Sequence, residues 1–207
     1  SLSEGSTFAA PTKWCEWNLK FDIHFADMNG DGKADLIGRG SSSGELYTGI
    51  SDGKSFKTPV KWGEWNLNYS TSYVDLNGDG KADLVGRSKN TGEVYASIST
   101  GETFEKPTKW CEWNLKFDIH FADVNGDGNA DLVGRGSSSG EVYVGLSDAS
   151  AFKTAVKWCE WNTKFDTHYS DLNGDGKADL VGRGSSSGEV YAGSSKGTAF
   201  DVAKKWK

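Results

Sequence analysis

The sequence repeats itself with a period of 48 residues and needs no gaps to do so. One series of tryptophans falls at Trp14, Trp62, Trp110 and Trp158, and a second follows three residues later in each copy. Residues 11–49 and 107–145 are identical at 34 of 39 positions. A repeat of this length is one supersecondary unit that cannot bury its apolar surface alone and must stack on its neighbours. We therefore expect one unit built four times and a single domain over residues 1–207.

Each unit contains the signals for four short β-strands. In the first unit, FDIHFAD alternates apolar and polar residues, and ADLIGRG, ELYTGIS and FKTPVKWGEW follow, each bounded by glycine or serine clusters. Glycine accounts for 27 of 207 residues and tryptophan for nine, which favours many turns and an aromatic-packed β-structure over a helical bundle. The predicted fold class is all-β, a β-propeller of four 48-residue, four-stranded blades. A β-sandwich is the alternative.

The outer strand of the unit occurs once more than the others. The segment F-x-x-x-x-K-W starts at Phe8, Phe56, Phe104, Phe152 and Phe200, whereas the inner three strands occur four times. One terminus therefore carries a spare outer strand. We expect a closed four-bladed ring, with a pair of chains sharing a larger ring as the alternative, because a spare strand could join a homo-oligomer.

Charge and hydropathy exclude two classes of partner. The chain has 23 basic and 29 acidic residues, a formal charge of -6, so no basic field attracts nucleic acid. No run of 18 apolar residues exists, which excludes insertion into a membrane as a helix. The acidic excess is concentrated in one motif, D-x-N-G-D-G-x-A-D, which occurs in every unit.

The acidic motif predicts a cation loop. Oxygen ligands at positions 1, 3, 5 and 9, with a backbone carbonyl at position 7, suit a hard ion that takes six to eight oxygens, and calcium is favoured over magnesium. Four Ca²⁺ ions are expected, and a row of Asx turns without metal is the alternative. The expected ligands are Asp27, Asn29, Asp31, Lys33 and Asp35; Asp75, Asn77, Asp79, Lys81 and Asp83; Asp123, Asn125, Asp127, Asn129 and Asp131; and Asp171, Asn173, Asp175, Lys177 and Asp179.

The same residues resemble a known family. D-x-N-G-D-G-x-A-D-L-[IV]-G followed by G-E-[LV]-Y is similar to the FG-GAP or VCBS repeat, found in integrin α-chain propellers, secreted bacterial and fungal proteins and mushroom propeller lectins. The resemblance covers all four units. It implies a structural calcium site between the first two strands of each blade and a location outside the cell. Propellers of this kind commonly have seven blades, whereas this chain supplies four.

The strand order places a second group of residues on the face opposite the acidic loops. An aromatic plane surrounded by hydrogen-bonding groups is what a sugar requires, so we expect repeated ligand sites there. Unit two has Ser70 and Ser72 in place of the aspartate and histidine, which predicts three sites rather than four. The expected ligand-binding residues are Trp17, Asn18, Asp22, His24 and Arg39; Trp113, Asn114, Asp118, His120 and Arg135; and Trp161, Asn162, Asp166, His168 and Arg183.

Nothing in the sequence indicates catalysis. GSSSG at residues 40–44 matches the G-x-S-x-G pattern of hydrolases, but it lies between two strands and lacks the following helix. The three histidines are equivalents of one another, so they form no triad. Cys15, Cys111 and Cys159 also share one repeat position, so they are expected to be too far apart for a disulfide. Free thiols argue weakly against secretion.

These observations predict a protein that is not an enzyme. The leading hypothesis is a calcium-stabilised carbohydrate-binding protein, a lectin, whose partners are glycans or glycoproteins. One alternative is an adhesion or scaffold propeller that binds a protein partner. Another is a designed or fragmentary propeller without a ligand, suggested by the near identity of the units.

Overall fold

A computed structural model describes residues 10–206, which form sixteen β-strands in four antiparallel sheets. No helix in that range is long and apolar enough to cross a membrane. Each sheet contains four consecutive strands in chain order, so one sheet is one blade. The strands of blades 1 and 2 are β1 Phe21–Ala26, β2 Asp35–Gly40, β3 Glu45–Gly49, β4 Val60–Glu64, β5 Tyr69–Val74, β6 Asp83–Ser88, β7 Glu93–Ser97 and β8 Thr108–Glu112. Those of blades 3 and 4 are β9 Phe117–Ala122, β10 Asp131–Gly136, β11 Glu141–Gly145, β12 Val156–Glu160, β13 Phe165–Ser170, β14 Asp179–Gly184, β15 Val190–Gly193 and β16 Lys204–Lys205.

The structure confirms the four-stranded propeller blade predicted from the repeat. The acidic motif joins the first and second strands of each blade, and the serine-rich or KNTG turn joins the second and third. The first strands, β1, β5, β9 and β13, lie next to one another in that order and form the inner edge of the propeller. Each blade therefore presents its acidic loop at one end and its short turn at the other.

The hydrophobic core lies between the blades. The strand alternation gives each blade a leading face, toward the preceding blade, and a trailing face, toward the next. Between blades 2 and 3, for example, Leu76 and Trp110 of the trailing face pack with Leu132 and Phe152 of the leading face. Equivalent clusters fill the other two junctions. Because each apolar face needs a neighbour to bury it, the stack itself is the source of stability.

The second tryptophan series packs the linker before each blade closely against the second strand of that blade. Trp113 lies flat against Gly134 of β10, so that a β-carbon added to Gly134 would fall 2.5 Å from the indole ring. Trp65 makes the same approach to Gly86, and Trp161 to Gly182. Trp113 also meets Phe117 edge to face, with ring centroids 6.3 Å apart. Glycine is required on the second strand because the indole occupies the space of a side chain.

The blades form an open arc, so the expectation of a closed four-bladed ring is wrong. Within residues 10–206, no strand of blade 1 comes within 8 Å of a strand of blade 4, measured between Cα atoms. The spare outer strand is the N-terminal one. Its segment 10–18 pairs with no sheet, whereas Lys204 and Lys205 pair with Ala192 and Tyr191 of blade 4. The copy that begins at Phe8 starts outside the described residues.

Candidate functional site

The acidic loops fold around the first aspartate of the motif. In blade 1, the carboxylate of Asp27 accepts hydrogen bonds from the N–H groups of Gly30 (2.8 Å) and Gly32 (2.6 Å). Both glycines have a φ near +80°, which a residue with a side chain rarely adopts. Asn29 and Asp31 accept N–H bonds two residues further along the loop. The motif therefore produces a tight, oxygen-lined reversal.

The last aspartate of the motif turns away from solvent and ties the loop to the blade. Asp131 is fully buried, and its two oxygens accept the N–H groups of Val124 (3.1 Å) and Ser147 (2.8 Å). Asp35, Asp83 and Asp179 make the equivalent pairs of bonds. Burial raises the pKa of Asp131 to about 7 and that of Asp83 to about 6. The hydrogen bonds from backbone N–H groups act in the opposite direction and lower the pKa, but burial has the larger effect.

The loops supply calcium-type donors, but the structure does not show a calcium site. Among residues 10–206, no three acidic, histidine or cysteine side chains gather closely enough to hold an ion. The lysine at the seventh position of the motif also competes with a cation for the carboxylates. Lys33 Nζ lies 3.0 Å from an oxygen of Asp31, and Lys81 Nζ lies 2.8 Å from an oxygen of Asp79. The donors fit the chemistry of Ca²⁺, whereas the loop geometry is that of linked Asx turns. Calcium remains a prediction.

The expected ligand set does not converge on one pocket, because its members divide between two places. In blades 2 and 4, the tryptophan and asparagine line a cleft at the outer side of the blade junction. In blade 4 this outer cleft has a volume of about 390 Å³ and also includes Glu160, Phe165 and Tyr191, besides Trp161 and Asn162. The equivalent outer cleft of blade 2, about 210 Å³, is lined by Glu64, Trp65, Asn66, Tyr69, Tyr95 and Pro107.

The outer cleft recurs because its residues belong to the repeat. The tripeptide Glu-Trp-Asn precedes every blade, and a tyrosine stands in the middle of every third strand, at Tyr47, Tyr95, Tyr143 and Tyr191. The sequence reasoning overlooked the glutamate and this tyrosine, although their 48-residue spacing could have revealed both. It also excluded unit two, which the structure equips with the same cleft.

The tryptophans are not exposed platforms, which corrects their expected role. Trp113 and Trp161 are 9% and 7% exposed because each indole lies on the glycine of the next second strand. Trp17 is half-buried against Gly38 in the same way. The aromatic groups that remain accessible in the outer cleft are the half-buried Phe165 and Tyr191, whose rings meet edge to face at 5.5 Å. Packing, rather than ligand contact, explains why tryptophan is repeated.

The aspartate, histidine and arginine line a second cavity near the propeller axis. This axial cavity, about 640 Å³, contains Asp118, His120, Arg135, Asp166 and His168 of units three and four. Arg87 of unit two contributes to it as well. Burial lowers the pKa of His120, and the Asp118 carboxylate partly opposes that shift. Asp22 and His24 of unit one lie outside this cavity, with His24 packed on Tyr73 at 5.1 Å between ring centroids.

Three of the four equivalent arginines join neighbouring blades. Arg39 is 8% exposed and donates to the carbonyls of Asn66 (2.8 Å) and Tyr69 (3.1 Å) in the next blade. Arg87 and Arg135 donate likewise to the carbonyls of Phe117 and Phe165. The expected ligand role of Arg39 is therefore corrected to a structural one, because a buried guanidinium with these partners is not available to a ligand.

The three cysteines are not joined by disulfides, which agrees with the prediction from their shared repeat position. All three are free thiols, with Cys15 exposed and the other two half-buried. Burial raises the pKa of Cys111 to about 12 and that of Cys159 to about 11, so both thiols are protonated at neutral pH.

One solved lectin shares this fold. A lectin from Agrocybe aegerita, described as recognising non-reducing terminal N-acetylglucosamine, matches with a TM-score of 0.69 and 23% identity. The match covers 91% of this chain and 52% of the lectin chain, so this chain spans about half of the lectin's length. Two more distant matches have lower TM-scores. The Photorhabdus luminescens Tc holotoxin pore has a TM-score of 0.44 and 17% identity, and the match covers 89% of this chain and 12% of that chain. The V. cholerae biofilm matrix protein Bap1 has a TM-score of 0.36 and 23% identity, and the match covers 86% of this chain and 29% of that chain.

Sequence comparison gives the family. No curated protein matches the chain. The FG-GAP-like repeat, in contrast, matches twice, over residues 27–85 and 75–134, and the two matches together cover more than half of the 207 residues. Both contain the acidic loop and the second strand that follow each inner strand in the structure. The chain belongs to the FG-GAP-like repeat family.

Proposed function

We propose that this protein is a lectin that binds glycans in its outer clefts. The observation that supports the proposal is the recurrence of one aromatic and polar cleft at the same place in separate blades. The fold that the chain shares with the Agrocybe aegerita lectin makes a terminal N-acetylglucosamine the first ligand to test.

The outer cleft has the chemistry that a sugar requires. A pyranose presents C–H groups to an aromatic surface and hydroxyls to donors and acceptors around it. Phe165 and Tyr191 supply the aromatic surface, and the exposed Glu160 supplies an acceptor. Asn162 uses its amide oxygen to accept the Lys164 N–H at 2.9 Å, so its amide nitrogen is the donor that a ligand would meet. Several weak clefts on one rigid arc would bind a multivalent glycan with higher avidity.

The axial cavity is the weaker candidate for a sugar site. Its lining combines Asp, His and Arg side chains with Ile119 and Thr167, and no tyrosine, phenylalanine or tryptophan is among its lining residues. The imidazoles of His120 and His168 are the rings in this lining, and they offer a neutral sugar less apolar surface than phenylalanine and tyrosine do. We therefore assign glycan binding to the outer clefts and expect it in all four blades.

The test is to remove the cleft glutamates together and measure binding on a glycan array and by calorimetry. Replacing Glu16, Glu64, Glu112 and Glu160 by alanine should weaken binding to N-acetylglucosamine-terminated glycans by about tenfold or more, because a lost hydrogen bond to a charged group is worth about 1.5–3 kcal/mol. Exposed glutamates should not be needed for folding.

A matched control is built into the repeat. Lys157 pairs with both Glu160 (2.6 Å) and Glu141 (2.9 Å), and Glu141 does not line either outer cleft described above. Replacing Glu45, Glu93, Glu141 and Glu189 by alanine therefore removes ion pairs to Lys61, Lys109 and Lys157, which also pair with cleft glutamates, and to Lys205, and should leave glycan binding unchanged. Equal losses in the two fourfold variants would contradict the cleft assignment. Silence of the wild-type protein across the array would favour the protein-partner hypothesis.

We further propose that the acidic loops close around Ca²⁺, which stabilises the propeller. Three aspartates per loop repel one another, and an ion that binds only the folded state raises the melting temperature by mass action. Millimolar calcium should therefore raise the melting temperature of EDTA-treated protein, with an affinity on the order of 10⁻⁴ to 10⁻³ M.

The calcium proposal is tested by calorimetry and elemental analysis. Asp31→Asn and its equivalents in the other blades should lower the response to calcium, while the melting temperature in EDTA stays close to that of the wild type. An unchanged melting temperature upon addition of calcium, together with no bound metal, would leave the loops as Asx turns only. A location outside the cell stays a prediction.

A further inference from the structure

The two ends of the arc expose apolar side chains whose equivalents are buried at every other junction. On the trailing face of blade 4, Leu172 is 36% exposed, whereas Met28, Leu76 and Val124 at the same repeat position are fully buried. Trp206 is 54% exposed, against 5–7% for Trp62, Trp110 and Trp158. On the leading face of blade 1, Phe25 is 61% exposed and borders an apolar cavity of about 610 Å³ with Trp14 and Phe56.

The internal junctions show what these two faces can bind. At each one, an arginine of the earlier blade donates to a carbonyl at the start of the next first strand. An alanine N–H of the later blade donates back to the backbone carbonyl of the first aspartate in the earlier loop, as in Ala82 to Asp27 at 2.7 Å. A buried serine hydroxyl of the later blade donates to the carbonyl of the residue after that aspartate, as in Ser99 to Met28 at 3.1 Å.

The ends of the arc carry the same groups without this partner. Arg183 is exposed and lies 3.6 Å from Asp166 of its own blade, whereas the equivalent arginines donate to carbonyls of the next blade. Ala34 is exposed, whereas Ala82, Ala130 and Ala178 are buried. In the part of the chain that the structure describes, no hydrogen bond joins Ala34 to Asp171 or Ser51 to Leu172. The trailing face of blade 4 and the leading face of blade 1 thus carry the two sides of the contact that each internal junction makes.

We propose that two copies of this chain dock head to tail, blade 4 of each on blade 1 of the other, and close one ring. The same repeat makes the interface three times within the chain, so the two free faces are complementary by construction. Each contact is heterologous, and two of them related by a twofold axis close the assembly. The arc aligns with 52% of the Agrocybe aegerita lectin chain, so two arcs together have about the length of that one chain.

The spare N-terminal segment has a place in this assembly. Trp14 already packs on Phe56 at 5.2 Å, as Trp62 packs on Phe104 and Trp110 on Phe152 at the internal junctions. Blade 4 has only two residue pairs between its third and fourth strands, where the other blades have four. Segment 12–17 of one copy therefore replaces β16 as the outer strand of blade 4 in the other copy. Trp14 takes the place on Phe56 that Trp206 would otherwise fill, and Trp206 stays outside the junction. The junction also brings Asp22 of one copy beside Arg183 of the other, as Asp118 lies beside Arg87 in the axial cavity.

The mass of the protein in solution tests the proposal. Sedimentation velocity and light scattering of the 207-residue chain should give the mass of two copies. Leu172→Asp places a charge in the interface and should raise the dimer dissociation constant at least tenfold, because an unpaired buried charge is costly. Leu115→Asp is the control, since Leu115 is 44% exposed and lies in the linker between blades 2 and 3. It should remain dimeric.

Mixing two variants tests the head-to-tail arrangement. Phe25→Asp damages only the blade 1 face and Leu172→Asp only the blade 4 face, so each variant alone should be monomeric with an unchanged far-UV spectrum. Their mixture retains one intact junction and should form a mixed dimer. A monomeric wild type, a dimer that survives Leu172→Asp, an open polymer, or a mixture that stays monomeric would each overturn the proposal.

Discussion

Asp131→Ala is expected to lower the free energy of unfolding by about 2–6 kcal/mol, measured by denaturant titration in EDTA. The substitution removes the acceptor of two buried N–H groups, those of Val124 and Ser147, and each orphaned donor costs about 1–3 kcal/mol. Val124 lies in the core between blades 3 and 4, and Ser147 donates its hydroxyl to blade 2. The loss should therefore loosen two blade junctions.

Asp127→Ala in the same loop is the matched control. Asp127 is exposed and accepts the Asn129 N–H at 2.8 Å near the surface, so its loss in EDTA should cost less than about 1 kcal/mol. If calcium binds, Asp127→Ala should also abolish the stabilisation that calcium gives to this loop. Similar costs for the two variants in EDTA would show that the buried hydrogen bonds are not what holds the loop.

The pH dependence of Asp131 has a definite sign. Burial raises its pKa from an ordinary value of 3.8 to about 7, so the protonated carboxyl is favoured in the folded state. Its contribution to stability is therefore fully present below about pH 4 and declines as the pH rises toward 7. Asp131→Asn cannot titrate, so the stability difference between wild type and this variant in EDTA should become less favourable to the wild type over that interval. A difference that grows with pH would contradict this reasoning.

Gly134→Ala is expected to destabilise the protein by about 1–3 kcal/mol or more, because the new methyl group would fall 2.5 Å from the Trp113 ring. The backbone at Gly134 does not require glycine, since its φ is not positive. The cost therefore reports on the indole contact alone. Thermal unfolding monitored by tryptophan fluorescence would follow both stability and the environment of the indole.

Gly63→Ala is the corresponding control. Gly63 also lies in a strand, but a β-carbon there meets no atom within 4 Å. Alanine should be neutral or should stabilise by about 0.4–1 kcal/mol, because it reduces the entropy of the unfolded chain. A loss at Gly63 equal to that at Gly134 would mean that the tryptophan contact is not the cause.

The glycines separate what sequence pattern can predict from what it cannot. Gly30 and Gly32 belong to a turn motif, so their left-handed conformation follows from the local sequence. Nothing in the sequence next to Gly134 predicts that a glycine is required there. Its importance comes from an indole 21 residues earlier in the chain, which the fold places against it.

The repeat alone determined the blade. A period of 48 residues, four alternating segments and glycine-rich turns are local properties, and local hydrogen bonding turns them into a four-stranded antiparallel sheet. The acidic loop is likewise a local structure, so its position between the first two strands was predictable. The family follows from the same residues.

Only the tertiary structure decided how the repeated side chains are used. The predicted set of Trp, Asn, Asp, His and Arg shares one repeat unit, yet the twist and stacking of the blades send Trp161 and Asn162 to an outer cleft and Asp166 and His168 to the axial cavity. Arg39 reaches a carbonyl that belongs to the next blade, and Arg183 has none to reach. The angle between successive blades also leaves the arc open. That angle arises from the packing between sheets, which no alternation within a single unit encodes.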